Sequence, residues 1–476
     1  MKKPNILFAI ADDASHFGAY GHGFVKTPVC DGLAKNGALF ENAFTPSPKC
    51  APSRASILTG RYPWQNTEAC NHQCFFPPGL TLFPDILEKN GYHVGVTGKG
   101  WGPGNYERAG YTRNPAGTEY NSRKLTPPEG TAISECDYAA NFQDFLNARP
   151  EGAPFYFWYG GWEPHRRYVY GEGLRHGKKF EDLDKIPAYW PDDERVRTDI
   201  LDYAFETEWF DTQLGRIIEI LRQNGELENT LIIATSDNGC PFPRVKGQMY
   251  EQDFHLPMVA YWHGKIPPGT RVQEQVNFAD ISPTLLEAAG IQPPEENTGK
   301  SFLDIMTGKP SQADRQFTYF GREKQDVGGE NDLGYPVRCI RDGQYLYIRN
   351  FEPTRWPVGN PETGFTNCDS SPTKSLILEQ YEQGNSHYYE LCFGKRPLEE
   401  LYDIVQDPEC MNNLAGSPDF AQKKEFLWDS LANFLRESGD PRIFGNGHVF
   451  DEYPHCQIGA HSWSHYVRGE FAPQRY

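Results

Sequence analysis

Asn5-Ile6-Leu7-Phe8-Ala9-Ile10-Ala11-Asp12-Asp13 is an apolar run that ends abruptly on two carboxylates. Nothing polar alternates with its aliphatic and aromatic side chains, the pattern of a strand buried on both faces of a parallel sheet. Apolar runs of similar length recur at 92–97, 154–159, 230–235 and 256–262, and helix-periodic stretches lie between them at 81–89, 138–148, 198–223 and 280–289. This alternation predicts an α/β fold, a mixed and mostly parallel sheet sandwiched by helices. Such sheets gather functional side chains beyond the carboxyl ends of their strands. Asp12 and Asp13 stand at one such end.

Segments 102–130 and 160–196 are rich in Gly, Pro, Tyr and charge without periodicity, and read as long loops that shape a pocket. After about residue 321 the texture changes. Runs 335–340 and 344–349, joined at Asp342-Gly343, give a hairpin signal, followed by a Pro/Gly/Asn-rich stretch and a helical pattern at 421–438. The expected division is a catalytic α/β domain over 1–330 and a smaller C-terminal α+β subdomain over 331–476.

The 476 residues hold 46 Lys+Arg against 64 Asp+Glu, a net charge of −18, with 38% hydrophobic and 14% aromatic residues. Wholesale disorder is excluded, and with no basic run so is general nucleic-acid binding. No window approaches the roughly 18 consecutive apolar residues of a membrane-spanning helix, and the mean hydropathy is −0.66. Carboxylates follow the first apolar run where a signal peptide would place small residues, so the run reads as a strand. The expectation is a protein exported to the periplasm or beyond with its signal absent from this sequence, or a cytoplasmic one. The 11 cysteines are scattered without repeated C-x-x-C spacing and imply neither a zinc site nor a disulfide scaffold. Of His448, His455, His461 and His465 only the last two are spaced i, i+4, and the group reads as surface or pocket-rim histidines rather than a zinc centre.

Two polar clusters follow strand runs: Asp12-Asp13, and Asp237-Asn238 within Thr235-Ser236-Asp237-Asn238-Gly239. If both strands share one parallel sheet, three carboxylates and a carboxamide meet at one edge. Crowded carboxylates repel unless a cation sits among them, and Asp and Asn oxygens suit a hard ion such as Ca²⁺ or Mg²⁺. Taken separately, each pair also fits a helix cap or a turn. A third cluster is Cys50-Ala51-Pro52-Ser53-Arg54-Ala55-Ser56-Ile57-Leu58-Thr59-Gly60-Arg61. Pro52 suits the first position of a short helix and Gly60 its exit, which puts Cys50 at the amide-rich end that attracts anions. Arg54, one turn on, is positioned to address the same anion. A bare thiol there is expected to be a low-pKa nucleophile.

The third cluster resembles the modification signature of the formylglycine-dependent (type I) sulfatases, C-x-P-S-R followed by L-T-G-R. That resemblance implies an alkaline-phosphatase-like fold and oxidation of Cys50 to formylglycine by a maturation enzyme. It also implies hydrolysis of a sulfate ester or sulfamate on a sulfated saccharide. Asp12, Asp13, Asp237 and Asn238 match the family's calcium ligands, with Cys50 beside them. Lys99 in Gly98-Lys99 matches its first lysine motif, and Lys246 stands where a second basic residue is expected. Glu163-Pro164-His165-Arg166 resembles the segment that carries a catalytic histidine, and Asp280 to Leu286 a structural helix of the family. The implied catalytic set is Cys50, Arg54, Lys99, His165 and Lys246, with metal ligands Asp12, Asp13, Cys50, Asp237 and Asn238. Segments 236–243 and 335–338 are most similar to the heparan N-sulfatase (N-sulfoglucosamine sulfohydrolase) branch.

One position departs from the family pattern. Many sulfatases carry a histidine two residues after the first lysine, and here that residue is Trp101. Indole accepts no proton. His72 is a candidate substitute or substrate contact, and Trp101 and Arg166 are further candidate substrate-binding residues. Trp158, Tyr159, Trp162, Tyr168 and Tyr170 flank His165 and are candidate sugar-stacking walls or core packing. The alternatives are an O-sulfatase on another polysaccharide, a phosphodiesterase or phosphonate monoester hydrolase, and a non-catalytic sulfated-glycan-binding protein with Cys50 unmodified.

Overall fold

The computed structural model describes residues 3–183, 185–456 and 462–470. Its centre is an eight-stranded sheet. In chain order the strands are β1 (Asn5–Ala11), β2 (Ala38–Phe40), β3 (His93–Gly98), β4 (Thr118–Glu119), β5 (Phe155–Gly160), β6 (Thr230–Ser236), β7 (Met258–Tyr261) and β8 (Thr270–Val272). Their spatial order is β8-β2-β7-β6-β1-β5-β3-β4. Only β7 runs against its neighbours, β6 and β2; the other pairings are parallel. The fold is the mostly parallel, helix-covered α/β architecture that the alternation of runs predicts.

β1 shows why the strands read as continuous apolar runs. Ile6, Phe8 and Ile10 pack into one core with Ala51, Ala55 and Leu58 of α2 (Cys50–Thr59), Phe83 and Leu87 of α3 (Phe83–Lys89) and Leu285 of α6 (Ile281–Ala288). Leu7, Ala9 and Ala11 enter the other core with Leu33 of α1 (Pro28–Asn36), Phe142 of α4 (Tyr138–Ala148) and Phe210 and Leu214 of the long α5 (Glu194–Gln223). Both faces are buried, so Ile6 to Ala11 are apolar at both register positions, and Asn5 at the strand's start is hydrogen-bonded to Glu226 and Phe155 N–H.

A second sheet is antiparallel, ordered β9 (Thr318–Arg322), β10 (Val337–Arg341), β11 (Tyr345–Asn350) and β12 (Glu399–Asp403). The turn at Asp342-Gly343 joins β10 and β11 in the expected hairpin. One face shares a core with Phe44 and Phe254 of the larger body. The other packs on Leu427, Leu431 and Leu435 of α8 (Ala421–Glu437). The Pro/Gly/Asn-rich stretch after β11 contains a helix that its composition hides, α7 (Pro372–Glu382). No helix is long and apolar enough to cross a membrane among the described residues.

Arg338 of β10 ties this sheet to α8's exit. Its side chain is buried, donates to Asp440 Oδ2 (2.7 Å) and Oδ1 (3.0 Å) and to Glu323 Oε1 (2.7 Å), and lies over the Trp64 ring. Glu323 also holds Arg442, so Asp440 carries most of the loss when Arg338 is removed. Arg338→Met is expected to cost about 3–5 kcal/mol, the penalty for stranding a buried charge, read as a shift of the urea unfolding midpoint.

Candidate active site

The register of the central sheet assembles the site. β1 and β6 pair in parallel with Ala11 opposite Ser236, so the residues that follow, Asp12-Asp13 and Asp237-Asn238, emerge side by side. The chain turns sharply there, with Asp13 at φ 72°, its N–H donating to Asp237 Oδ1 (3.1 Å) and Ala14 N–H to Ser236 Oγ (2.7 Å). The ends of β3 and β5 add Lys99. Gly98 and Gly160 lie opposite each other, and a Cβ on Gly98 would stand 1.9 Å from Gly160 O. Only glycine allows that approach, which steers Lys99 into the site.

α2 delivers Cys50 as its first residue. The helix starts two residues earlier than Pro52 suggests, because the N–H groups of its first turn are free of intrahelical duty and proline is tolerated throughout that turn. It ends as expected at Gly60, φ 68°. Cys50 Sγ lies 3.5 Å from Asp12 Oδ1 and 3.9 Å from Asp13 Oδ1. Ligand atoms of Asp12, Asp13, Cys50 and Asp237, all buried, fall within 4.8 Å of one another. Asn238 Nδ2 donates to Asp13 Oδ1 (2.7 Å), while its buried Oδ1 has no hydrogen-bond partner. Packed carboxylates with a spare amide oxygen fit a hard divalent cation.

Three cations balance these acids. Lys99 Nζ sits 2.8 and 2.6 Å from the two Asp12 oxygens, and Lys246 Nζ 2.7 Å from Asp13 Oδ2 and 3.1 Å from Asp369 Oδ2. Burial works against both ammonium charges, but Asp12 for Lys99 and Asp13 for Lys246 outweigh it and hold their pKa values above the ordinary lysine range. Arg54, expected to address a bound anion, is fully buried and commits part of its guanidinium to the protein, Nε on Asp237 Oδ2 (2.8 Å) and one NH₂ on the carbonyls of Lys99 (2.7 Å) and Gly100 (2.9 Å); the other NH₂, 3.7 Å from Asp12 Oδ1, has no hydrogen-bond partner among the described residues. Burial pushes Asp237 up, yet Arg54 and then Lys99 reverse this and hold it below the usual carboxylate range.

The expectation of a low-pKa thiol is also corrected. Burial raises the Cys50 pKa well above its ordinary value, and the opposing pull of Lys99 and Lys246 is offset by Asp12 and Asp237. The helix terminus alone does not decide thiol acidity when desolvation is complete.

These groups open onto a cavity of about 760 Å³ lined by, among others, Asp12, Lys99, Trp101, His165, Lys246 and Asp369. His165 Nδ1 donates to Arg166 O (2.7 Å), which turns Nε2 toward Asp13 Oδ2 at 3.9 Å. Trp101 lines the cavity but its Nε1–H is committed to Ala51 O (3.1 Å). Arg166 does not belong to the lining. It forms a two-point ion pair with Asp199 (2.7 and 3.0 Å) between the rings of Tyr168 and Phe242. Of the aromatics around His165, Trp158, Tyr159 and Tyr168 are buried, whereas Trp162 is 43% exposed and lines the cavity. His72 and His455 line it as well, and His461 lies outside the described residues. Among the described residues the Asp12 cluster is the one group suited to a metal, and all 11 cysteines are free thiols. Asp369, which pairs with Lys246, escapes sequence reasoning altogether: it lies in the composition-masked stretch before α7.

The profile of the family described as Sulfatase matches residues 4–291, and that of the N-sulphoglucosamine sulphohydrolase C-terminal region matches residues 245–354. An ulvan-active sulfatase of Formosa agariphila is 30% identical over 92% of this chain and 81% of its own length. The human N-sulphoglucosamine sulphohydrolase is 29% identical over 95% and 94%. A solved structure in complex with its substrate D-glucosamine-2-N,6-O-disulfate superposes with a TM-score of 0.66 at 20% identity, covering 92% of this chain and 99% of that one.

Proposed function

The chain belongs to the sulfatase family, and from that membership we propose that the cavity at Cys50 cleaves the sulfate ester or sulfamate of a sulfated saccharide and releases inorganic sulfate. The observation that carries this reading is the buried cluster of Asp12, Asp13, Cys50 and Asp237 at the tip of α2, whose Asp12 lines, with Lys99, Lys246 and His165, a cavity of about 760 Å³. Oxidation of Cys50 by a maturation enzyme to formylglycine supplies a hydrated aldehyde whose hydroxyl is the nucleophile toward sulfur. Asp12, Asp13, Asp237, Asn238 and residue 50 would hold Ca²⁺, or Mg²⁺ in its place, which would supply positive charge that acidifies a neighbouring hydroxyl.

The other steps belong to side chains. Lys99 and Lys246 bring ammonium groups to the cavity floor and bind the sulfuryl oxygens, neutralising charge as the bond to sulfur breaks. Arg54 holds the Asp237 carboxylate in place. His165, fixed through Nδ1, gives its Nε2 proton to the departing sugar oxygen or nitrogen. His165→Ala should therefore slow sugar substrates by about 10²–10⁴-fold and nitrophenyl sulfate much less, since nitrophenolate leaves without a proton. Equal losses on both substrates, measured as kcat/KM, refute the assignment.

The C-terminal match and the human relative favour an N-linked sulfate on glucosamine as the first substrate to try. A second reading, an O-sulfated polysaccharide fragment, is favoured by the ulvan-active relative. Chromatographic detection of sulfate after incubation with defined N- and O-sulfated mono- and disaccharides decides between them. Release from an O-sulfated sugar alone removes the first reading, and turnover of phosphate diesters without sulfate release removes both.

A further inference from the structure

The cavity has a second polar wall that takes no part in the chemistry above. His72 and Gln73 both line it. Among the described residues the buried His72 Nε2 and Gln73 Oε1 have no hydrogen-bond partner, and Gln73 is held in the left-handed region at φ 48°. Buried polar atoms without partners cost free energy, and non-glycine residues avoid that backbone region, so the two features together mark a place built for a ligand. His72 is anchored from behind, its N–H on Lys324 O (3.1 Å) and its Nδ1 3.4–3.5 Å from the two oxygens of Asp326.

The anchor fixes what the wall offers. Burial, outweighed by His72 and Lys49, leaves Asp326 below the usual carboxylate range, so it accepts and His72 Nδ1 carries the hydrogen. Burial pulls the His72 ring down to about 4, so at neutral pH the ring is uncharged and Nε2 is a bare acceptor. Gln73 Oε1 is an acceptor too. The two lysines of this wall are spent: Lys49 on Asp326 (3.3 Å) and Asn367 Oδ1 (3.0 Å), Lys374 on the carbonyls of Phe365 (3.0 Å) and Cys368 (2.7 Å).

We propose that His72 and Gln73 form a hydroxyl-reading subsite, accepting hydrogen bonds from free hydroxyls of the sulfated sugar and giving no purchase to a second sulfate at that face. The proposal rests on the sulfated-saccharide reading of the reaction centre. It makes His72 a specificity residue that touches the sugar rather than sulfur.

The test compares wild type, His72→Ala, His72→Gln and Gln73→Ala on glucosamine N-sulfate, its 3-, 4- and 6-deoxy analogues, glucosamine 2-N,6-O-disulfate and nitrophenyl sulfate. The ratio of kcat/KM on the sugar to that on nitrophenyl sulfate should fall about tenfold in His72→Ala, mainly through KM, and recover in part in His72→Gln, which keeps an acceptor. At least one deoxy analogue should lose about fivefold in wild type and nothing further in His72→Ala or Gln73→Ala. An unchanged ratio in both alanine variants overturns the subsite, because a purely structural role lowers both substrates together. Tighter binding of the disulfate that depends on His72 also overturns it, by making the wall an anion site. Wild type that releases no sulfate from any probe defeats the sulfatase reading separately. Calorimetric binding of glucosamine N-sulfate to wild type and variants then still reports on the subsite, absent or equal binding overturning it.

Discussion

Sulfate release stops in Cys50→Ala. On nitrophenyl sulfate and on any sugar the wild type uses, kcat/KM falls by at least about 10⁴-fold, since the variant lacks the side chain whose oxidation supplies the nucleophile. The neighbouring hydroxyls offer no substitute. Ser53 Oγ is bonded to Thr45 Oγ1 (2.8 Å), and Ser56 lies more than a turn further along α2 from Cys50. The fold should survive, with a melting midpoint within about 3 °C of wild type, because one sulfur atom leaves an already polar corner of the core. Peptide mass spectrometry across Cys50 to Arg54 completes the test: active wild type carries the mass of the aldehyde, and thiol-only protein is inert. Retention of about a tenth of the activity in Cys50→Ala would place the nucleophile elsewhere.

Much of this was legible in one dimension because the sheet's register turns sequence position into spatial position. Residues one step past the ends of two adjacent parallel strands must meet, so Asp12 and Asp237 come together across 225 residues of chain. The buried helix tip at Cys50 follows from the same local logic. What stayed hidden depended on partners that no local pattern names. Arg54 and Arg166 are both positive residues in motif segments, and both are absorbed by buried carboxylates, Asp237 and Asp199. β7 reads like its parallel neighbours because burial on two faces sets composition irrespective of strand direction. Proline and glycine before α7 masked both that helix and Asp369, since turn-forming residues dominate a short window even when a capped helix follows. His72 could be seen as a histidine near the motif, but its unpartnered Nε2 is a property of packing alone.

Arg54→Ala should be the most destabilising single change at the site. The guanidinium holds Asp237 through Nε at 2.8 Å, two backbone carbonyls through one NH₂, and approaches Asp12 at 3.7 Å through the other. Its loss strands a buried carboxylate and removes a donor from the Gly100 carbonyl, while Lys99 O keeps Trp158 Nε1–H (3.1 Å), a cost of about 3–5 kcal/mol in denaturant unfolding. Arg54→Lys should not rescue it, because a single ammonium cannot satisfy Asp237 and both carbonyls from one point. Two further measurements separate charge from packing. Adding Asp237→Asn to Arg54→Ala removes the stranded charge and should restore about half of the lost stability, without restoring sulfate release. Adding Ca²⁺ should likewise narrow the gap between Arg54→Ala and wild type, since a bound divalent ion replaces the missing positive charge, and chelation should widen it. A gap that ignores both the second substitution and the ion would mean that Arg54 stabilises the fold by packing on Trp158, over whose ring it sits at 6.0 Å, and that the carboxylates are balanced by Lys99 and Lys246 alone.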